Sequence, residues 1–212
     1  MSSSALTLQS LPLFPLGTVL FPDGVLPLRI FEVRYLDMIG KCRRAGAPFG
    51  VVSLTQGHEV RLPGAGGEAF ANVGTLATIT DFDASHPGLM TLRASGAQRF
   101  RITSREQLRH GLWVADVEQI PGDKAVPIPE DLQITATALA QLIHALEQKG
   151  TPDAELPVQK PWHMDDCGWV ANRWCELLPL SVTVKQRLLE LDNPLLRLEL
   201  VSDVLAKTGI AQ

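Results

Sequence analysis

Ser181 and Lys185 stand four residues apart. On a helix that spacing puts both side chains on one face, where a desolvated lysine amine can take a proton from a serine hydroxyl and make it a nucleophile. A serine just ahead of a helical stretch has a simpler role, accepting a hydrogen bond from a backbone N–H of the first turn. Capping accounts fully for Ser181, and Lys185 is then solvated. His163 and Cys167, also four apart, with Cys175 eight further on, raise the question of a metal. A structural zinc site takes four ligands in closely spaced pairs. The fourth ligand is missing and no C-x-x-C occurs, so buried thiols are the expectation and no metal is predicted. Asp165 and Asp166 suit a helix start, where the dipole favours negative charge, better than an acid/base pair. Trp162, Trp169 and Trp174 fall in the same region, and the near-helical spacing of the last two is that of core residues. His58, His86, His110, His144 and His163 are scattered. G-x-S-x-G is absent, and Gly40-Lys41-Cys42 lacks the earlier glycine and the following Ser/Thr of a phosphate-binding loop. No cofactor is predicted.

The elements that carry these residues change character along the chain. From Leu11 to Leu28, short apolar runs are broken by Pro12, Pro15, Gly17, Pro22-Asp23-Gly24 and Pro27. None of these prolines can sit within a strand paired on both sides. Val19–Phe21 and Val25–Leu28 read as short strands, and Val33, Leu36 and Ile39 then recur at helical spacing up to Gly46. Residues 1–10 are expected to be loosely held. Strands are predicted over 49–54, 73–82, 89–94, 96–102 and 112–120, and residues 57–72 form a hairpin or loop. After Asp123 the period is helical: 130–149, 165–178, a helix capped by Ser181 or Thr183 through Leu191, and one opened by Asn193-Pro194 through Leu205. Fold class is therefore α+β: strands over 1–122, then helices over 123–212 that form a small bundle.

Composition narrows the function. The net charge is −4 over 212 residues. Residues 1–122 hold 11 Lys/Arg against 10 Asp/Glu, and residues 123–212 hold 8 against 13. No basic run interleaved with aromatics is present, so nucleic acid is not the expected partner. Cys42, Cys167 and Cys175 are too few for a disulfide framework. The first residues do not read as a secretory leader and no apolar run is long enough for a membrane helix, so a cytoplasmic protein is predicted.

One ordered set of motifs carries a resemblance. Pro12–Leu16, Val19–Tyr35 (VLFPDGVLPLRIFEVRY), Phe49–Val52, Val73–Ala77, Gly96–Ile102, Leu177–Ser181 and Lys185–Leu191 occur in the order seen in the Lon protease N-terminal domain. The chain resembles that family over nearly its whole length. The resemblance implies a PUA-like antiparallel β-barrel with the early helix at one end, followed by an α-helical part. It implies a substrate-recognition domain without the ATPase or protease domains, hence a non-enzymatic module that binds polypeptides, including unfolded or hydrophobic segments. Arg29, Glu32, Arg34 and Tyr35 match the motif most closely. Their structural roles would be a helix start, an ion pair and packing; the functional reading is that Phe21, Phe31 and Tyr35 line an apolar groove for a peptide. Pairing with an exposed strand edge is a further mode. The rival readings are a PUA-like RNA binder, an adaptor for another protease or chaperone, and a small hydrolase with an unrecognised site.

Overall fold

Pro12 and Pro15 both lie inside the first strand, β1 (Thr7–Leu16), of the computed structural model, which describes residues 6–60, 67–152 and 155–210. The strand tolerates them because it changes neighbours. Up to Leu13 it pairs antiparallel with β7 (Trp113–Gln119); from Leu13 onward it pairs in parallel with β3 (Phe49–Gln56). Pro12 has only Val114 opposite it and Pro15 only Val52, so neither is asked for a second ladder bond. Thr7 and Leu8 belong to β1, opposite Glu118 and Val117, which corrects the expectation of a loosely held start for residues 7–10; residues 1–5 lie outside the described residues. A register shift follows at Ser10, whose φ is 52° and whose N–H donates to Asp116 Oδ1 at 3.0 Å.

The remaining ladders run β3 with β5 (Val73–His86), β5 with β6 (Leu89–Gln107), and β6 with β7, all antiparallel. The pairings thus make a circuit, β1–β7–β6–β5–β3 and back to β1. One pair departs from the all-antiparallel expectation. β1 and β3 are parallel because a further strand and a helix lie between them in sequence, a crossover long enough to return the chain in the same direction. β2 (Val25–Ile30) pairs with Met90–Ser95 of β6, and β4 (Ala69–Phe70) closes a hairpin onto β3. Residues 61–66 of the predicted 57–72 loop lie outside the described residues.

Two expected strands differ. Val19–Phe21 is a buried connection without ladder bonds: Thr75 Oγ1 donates to Leu20 O at 2.6 Å, and Asp23 N donates to Gly96 O at 2.8 Å. The segments 89–94 and 96–102 are one strand, β6, with irregular pairing near Gly96. Glycine is required there, since a Cβ would collide with the Phe21 carbonyl oxygen. Helix α1 (Val33–Ala45) ends at Gly46 in the left-handed region, φ 60°. Its buried stripe of Tyr35, Met38, Ile39 and Cys42 packs with Phe14, Phe49, Leu92 and Ala94 in the core.

The second compact unit, Asp123–Gln212, follows the first, Met1–Gly122. The expected helix 130–149 begins as a short 3-10 turn, Glu130–Leu132, before α2 (Gln133–Gln148). Asp166 caps α3 (Cys167–Leu177), accepting from Trp169 N at 2.8 Å; Ser181 caps α4 (Val182–Glu190); Asn193 caps α5 (Pro194–Thr208). α3 is the central element, packed against the other three, with Trp174 Nε1 donating to Thr135 O of α2 at 3.0 Å. Arg197 of α5 is buried among acceptors: Asp123 Oδ2 at 2.6 Å, Asn172 Oδ1 at 3.0 Å, and the carbonyls of Leu188 and Leu191.

Candidate functional site

β2 passes into α1 with only Phe31 and Glu32 between them. Glu32 is extended (φ −75°, ψ 131°), and its carbonyl accepts from Tyr35 N and Leu36 N to start the helix. This sharp entry leaves the flanking apolar residues outside: Phe31 is 56% exposed and Val33 80%. Tyr35, one turn in, points the other way and is buried. Its ring stacks on Phe14 of β1 with centroids 4.1 Å apart.

A groove of about 210 Å³ opens at this corner. Phe14 and Leu16 of β1 form one side, Pro27–Ile30 of β2 the other; Tyr35 lies at its base, and Phe31, Glu32, Glu59 and Val60 complete the rim. Phe31 and Tyr35, expected in one groove, are both there. Phe21 is not: it is fully buried on the connection between β1 and β2, with its carbonyl against Gly96, and offers no surface to a partner. Phe14 and Leu16 were not anticipated as lining residues, although their period-two spacing is visible once the intervening prolines are read as strand residues. Val60 gives no sequence signal.

Beside the groove lies a buried polar cluster. Arg34 donates from Nε to Glu32 Oε2 (3.2 Å), from Nη1 to Gly111 O (2.9 Å) and from Nη2 to Glu68 Oε1 (3.1 Å). Glu68 also accepts from Trp113 Nε1 at 3.0 Å. Burial alone opposes charge on Arg34, but Tyr35, Glu68 and Glu32 outweigh it and hold the guanidinium above its ordinary pKa. The guanidinium also lies 4.5 Å from the Tyr35 ring centroid. Arg29 stands exposed on β2.

The other candidates take structural positions. Ser181 Oγ accepts from Val184 N at 3.3 Å, and Lys185 Nζ donates to Glu176 O at 3.0 Å, so each is engaged with backbone rather than with the other. Cys167 Sγ donates to Pro127 O at 3.5 Å, and His163 meets the Trp169 ring edge-on at 6.1 Å. Burial raises the Cys42 and Cys167 thiols and pushes Cys175 to about 12. Among the described residues no three His, Cys, Asp or Glu side chains come together as metal ligands would, and no helix is long and apolar enough to cross a membrane.

The crystal structure of a Lon N-terminal domain protein from Xanthomonas campestris is similar to this chain at 33% identity and a TM-score of 0.69, covering 92% of this chain and 98% of that one. The N-terminal domain of the Mycobacterium avium complex Lon protease is similar in fold, at 18% identity and a TM-score of 0.57, covering 92% and 97%. No curated protein matches the chain. The family model for the ATP-dependent protease La (LON) substrate-binding domain matches residues 10–207, and the chain belongs to that family.

Proposed function

We propose that the chain is a non-catalytic module of the cytoplasm that binds polypeptides through exposed hydrophobic segments, with residues 1–122 acting as a PUA-like β-barrel and residues 123–212 as a helical bundle. The observation that carries this reading is the groove at the β1–β2–α1 corner: apolar side chains from β1 and β2 beside the charged Arg29, Glu32 and Glu59, with Tyr35 at the base and an exposed phenylalanine on the rim. Phe31 is the proposed anchor, because a large aromatic that must be desolvated on contact contributes most of the energy in such interfaces. Tyr35 supports it from below, and Phe21 serves indirectly by holding the β1–β2 connection in the core. The client is an unfolded protein or a component of a protease or chaperone assembly. Nucleic acid suits the groove poorly, since Glu32 and Glu59 stand on its rim and the chain carries a net −4. Three buried free thiols suit a reducing compartment.

The test is fluorescence anisotropy of a labelled, reduced and carboxymethylated protein titrated with the chain, with a folded protein and a single-stranded RNA as controls. Saturable binding of the unfolded protein alone is expected, weakened about 5- to 30-fold by Phe31→Ser, equivalent to about 1–2 kcal/mol. Absence of saturable binding, or equal binding by Phe31→Ser, overturns the reading.

A further inference from the structure

β5 is paired on both edges only near its start. On one side it follows β6 from Val73 to His86. On the other it meets β3 at Thr75–Ala77 and, among the described residues, no strand beyond. Which groups the free edge presents follows from the pairing on its far side. Gly96 of β6 donates to Gly24 O and accepts from Asp23 N, so its backbone groups face the β2 side. Backbone groups alternate along a strand and the β2–β6 register is unbroken, so Ala94 and Leu92 face β2 as well. Ile79 and Phe82 stand opposite these two and therefore turn their own N–H and C=O groups to the free edge. Open space of about 310 Å³ lies along Thr78–Phe82, walled on its other side by Cys42, Arg43, Gly46 and Ala47 at the end of α1.

The edge is not bare. Phe82 N donates to Asp81 Oδ1 at 2.9 Å, and Ser85 N to Asp83 Oδ1 at 3.0 Å. Both aspartates are exposed, and they end an uncharged run, Val73–Thr80, rich in β-branched residues. Such a run pairs with its own kind when no charge interrupts it. We infer that the free edge of β5 is a pairing surface for a second copy of this chain, held closed by the carboxylates of Asp81 and Asp83. The occupant follows from the symmetry of the edge. A copy related by a two-fold axis at Phe82 runs antiparallel, and the two Phe82 residues exchange both N–H···O=C bonds. The same register sets Asp81 opposite Asp83 of the second copy, twice, in the closer, non-hydrogen-bonded kind of pair. Like charges there oppose pairing, and Asp81 also holds the N–H that the central pair needs. An unrelated extended segment carries no acidic residues at these places, so the repulsion is directed at the chain's own edge.

The test is sedimentation velocity of the whole chain at low salt, with charge swaps at the two exposed positions and circular dichroism to check each fold. The unsubstituted chain is expected to sediment as a monomer at about 100 µM. Asp81→Lys turns both repulsive pairs into opposite-charge pairs and frees the Phe82 N–H. It is expected to tighten self-association at least tenfold and bring a dimer into view, with slower exchange of the Phe82 amide. Asp83→Lys makes the same swap with the Asp81 bond to Phe82 N retained; it tests the pairing independently and should dimerise less strongly. The double variant restores like charges and is expected to return to monomer. A dimer of the unsubstituted chain would show that the carboxylates do not hold the edge closed. Folded single variants that stay monomeric overturn the pairing, even if they take up the unfolded protein along this edge. A double variant that dimerises as strongly as Asp81→Lys overturns the register.

Discussion

Arg34 and Glu68 meet at 3.1 Å although 34 residues separate them, and through this pair the first turn of α1 is tied to the strand that follows the 57–68 segment. Both side chains are at least nine-tenths buried, and Glu68 in turn holds the Trp113 indole. Removing the cation strands two carboxylates in a poorly solvated place. Arg34→Met is expected to cost about 3–5 kcal/mol, the range for breaking a buried pair by deleting one partner, read as a lower urea midpoint. Glu68→Gln keeps an acceptor for the indole and should cost less. Equal, small effects of both would show that the pair contributes little.

Gly96 and Phe21 give a second test. Adding a methyl group at position 96 drives it into the Phe21 carbonyl, so Gly96→Ala is expected to destabilise the protein by about 1–3 kcal/mol. Because Phe21 lies on the connection between the two groove strands, peptide affinity should fall as well, measured on the fraction that remains folded.

The thiols should be silent in the native state. With Cys175 pushed to about 12 by burial, and Cys42 and Cys167 also raised, Ellman's reagent at pH 8 is expected to react slowly until denaturant is added, then with all three. The folded pKa values lie above the unfolded ones, so the associated stability is complete below about pH 8.5 and declines as pH rises toward the folded values. Rapid reaction of Cys175 without denaturant would contradict its burial.

Acid should act partly through Asp116. Hydrogen bonds from Ser10 N and Ser104 Oγ lower its pKa. A depressed folded pKa gives stability that is present above the unfolded value, near 4, and is lost as pH falls through the folded one. Asp116→Asn is expected to flatten that part of the acid-unfolding profile; an unchanged profile would show that the bulge at Ser10 does not depend on the carboxylate.

Residues with local reasons were legible in the sequence. Asn193-Pro194, Ser181 and Asp166 open helices because a side chain two or three residues from an N–H can reach it whatever the rest of the chain does. The motif singled out Phe31 and Tyr35, but the exposure of the first and the burial of the second come from the sharp entry to α1. What escaped was long-range. Thr7 gives no sign that its partner is Glu118, the Val19–Phe21 run looks like a strand because burial makes it apolar, and nothing near Arg34 announces Glu68. Prolines misled in β1 because periodicity cannot show a strand that exchanges one neighbour for another midway.

That exchange also orders events in time. The second half of β1 finds its partner once β3 is made, but Thr7 and Leu8 wait for Glu118 and Val117. At about 5–20 residues per second of synthesis, the wait is roughly 6–20 s. During it the start of the chain has an unsatisfied edge and an alternating apolar pattern, held at one end only. β1, made before both of its partners, is thus among the last strands to be completed, and the step that closes the circuit is expected to limit the rate of folding.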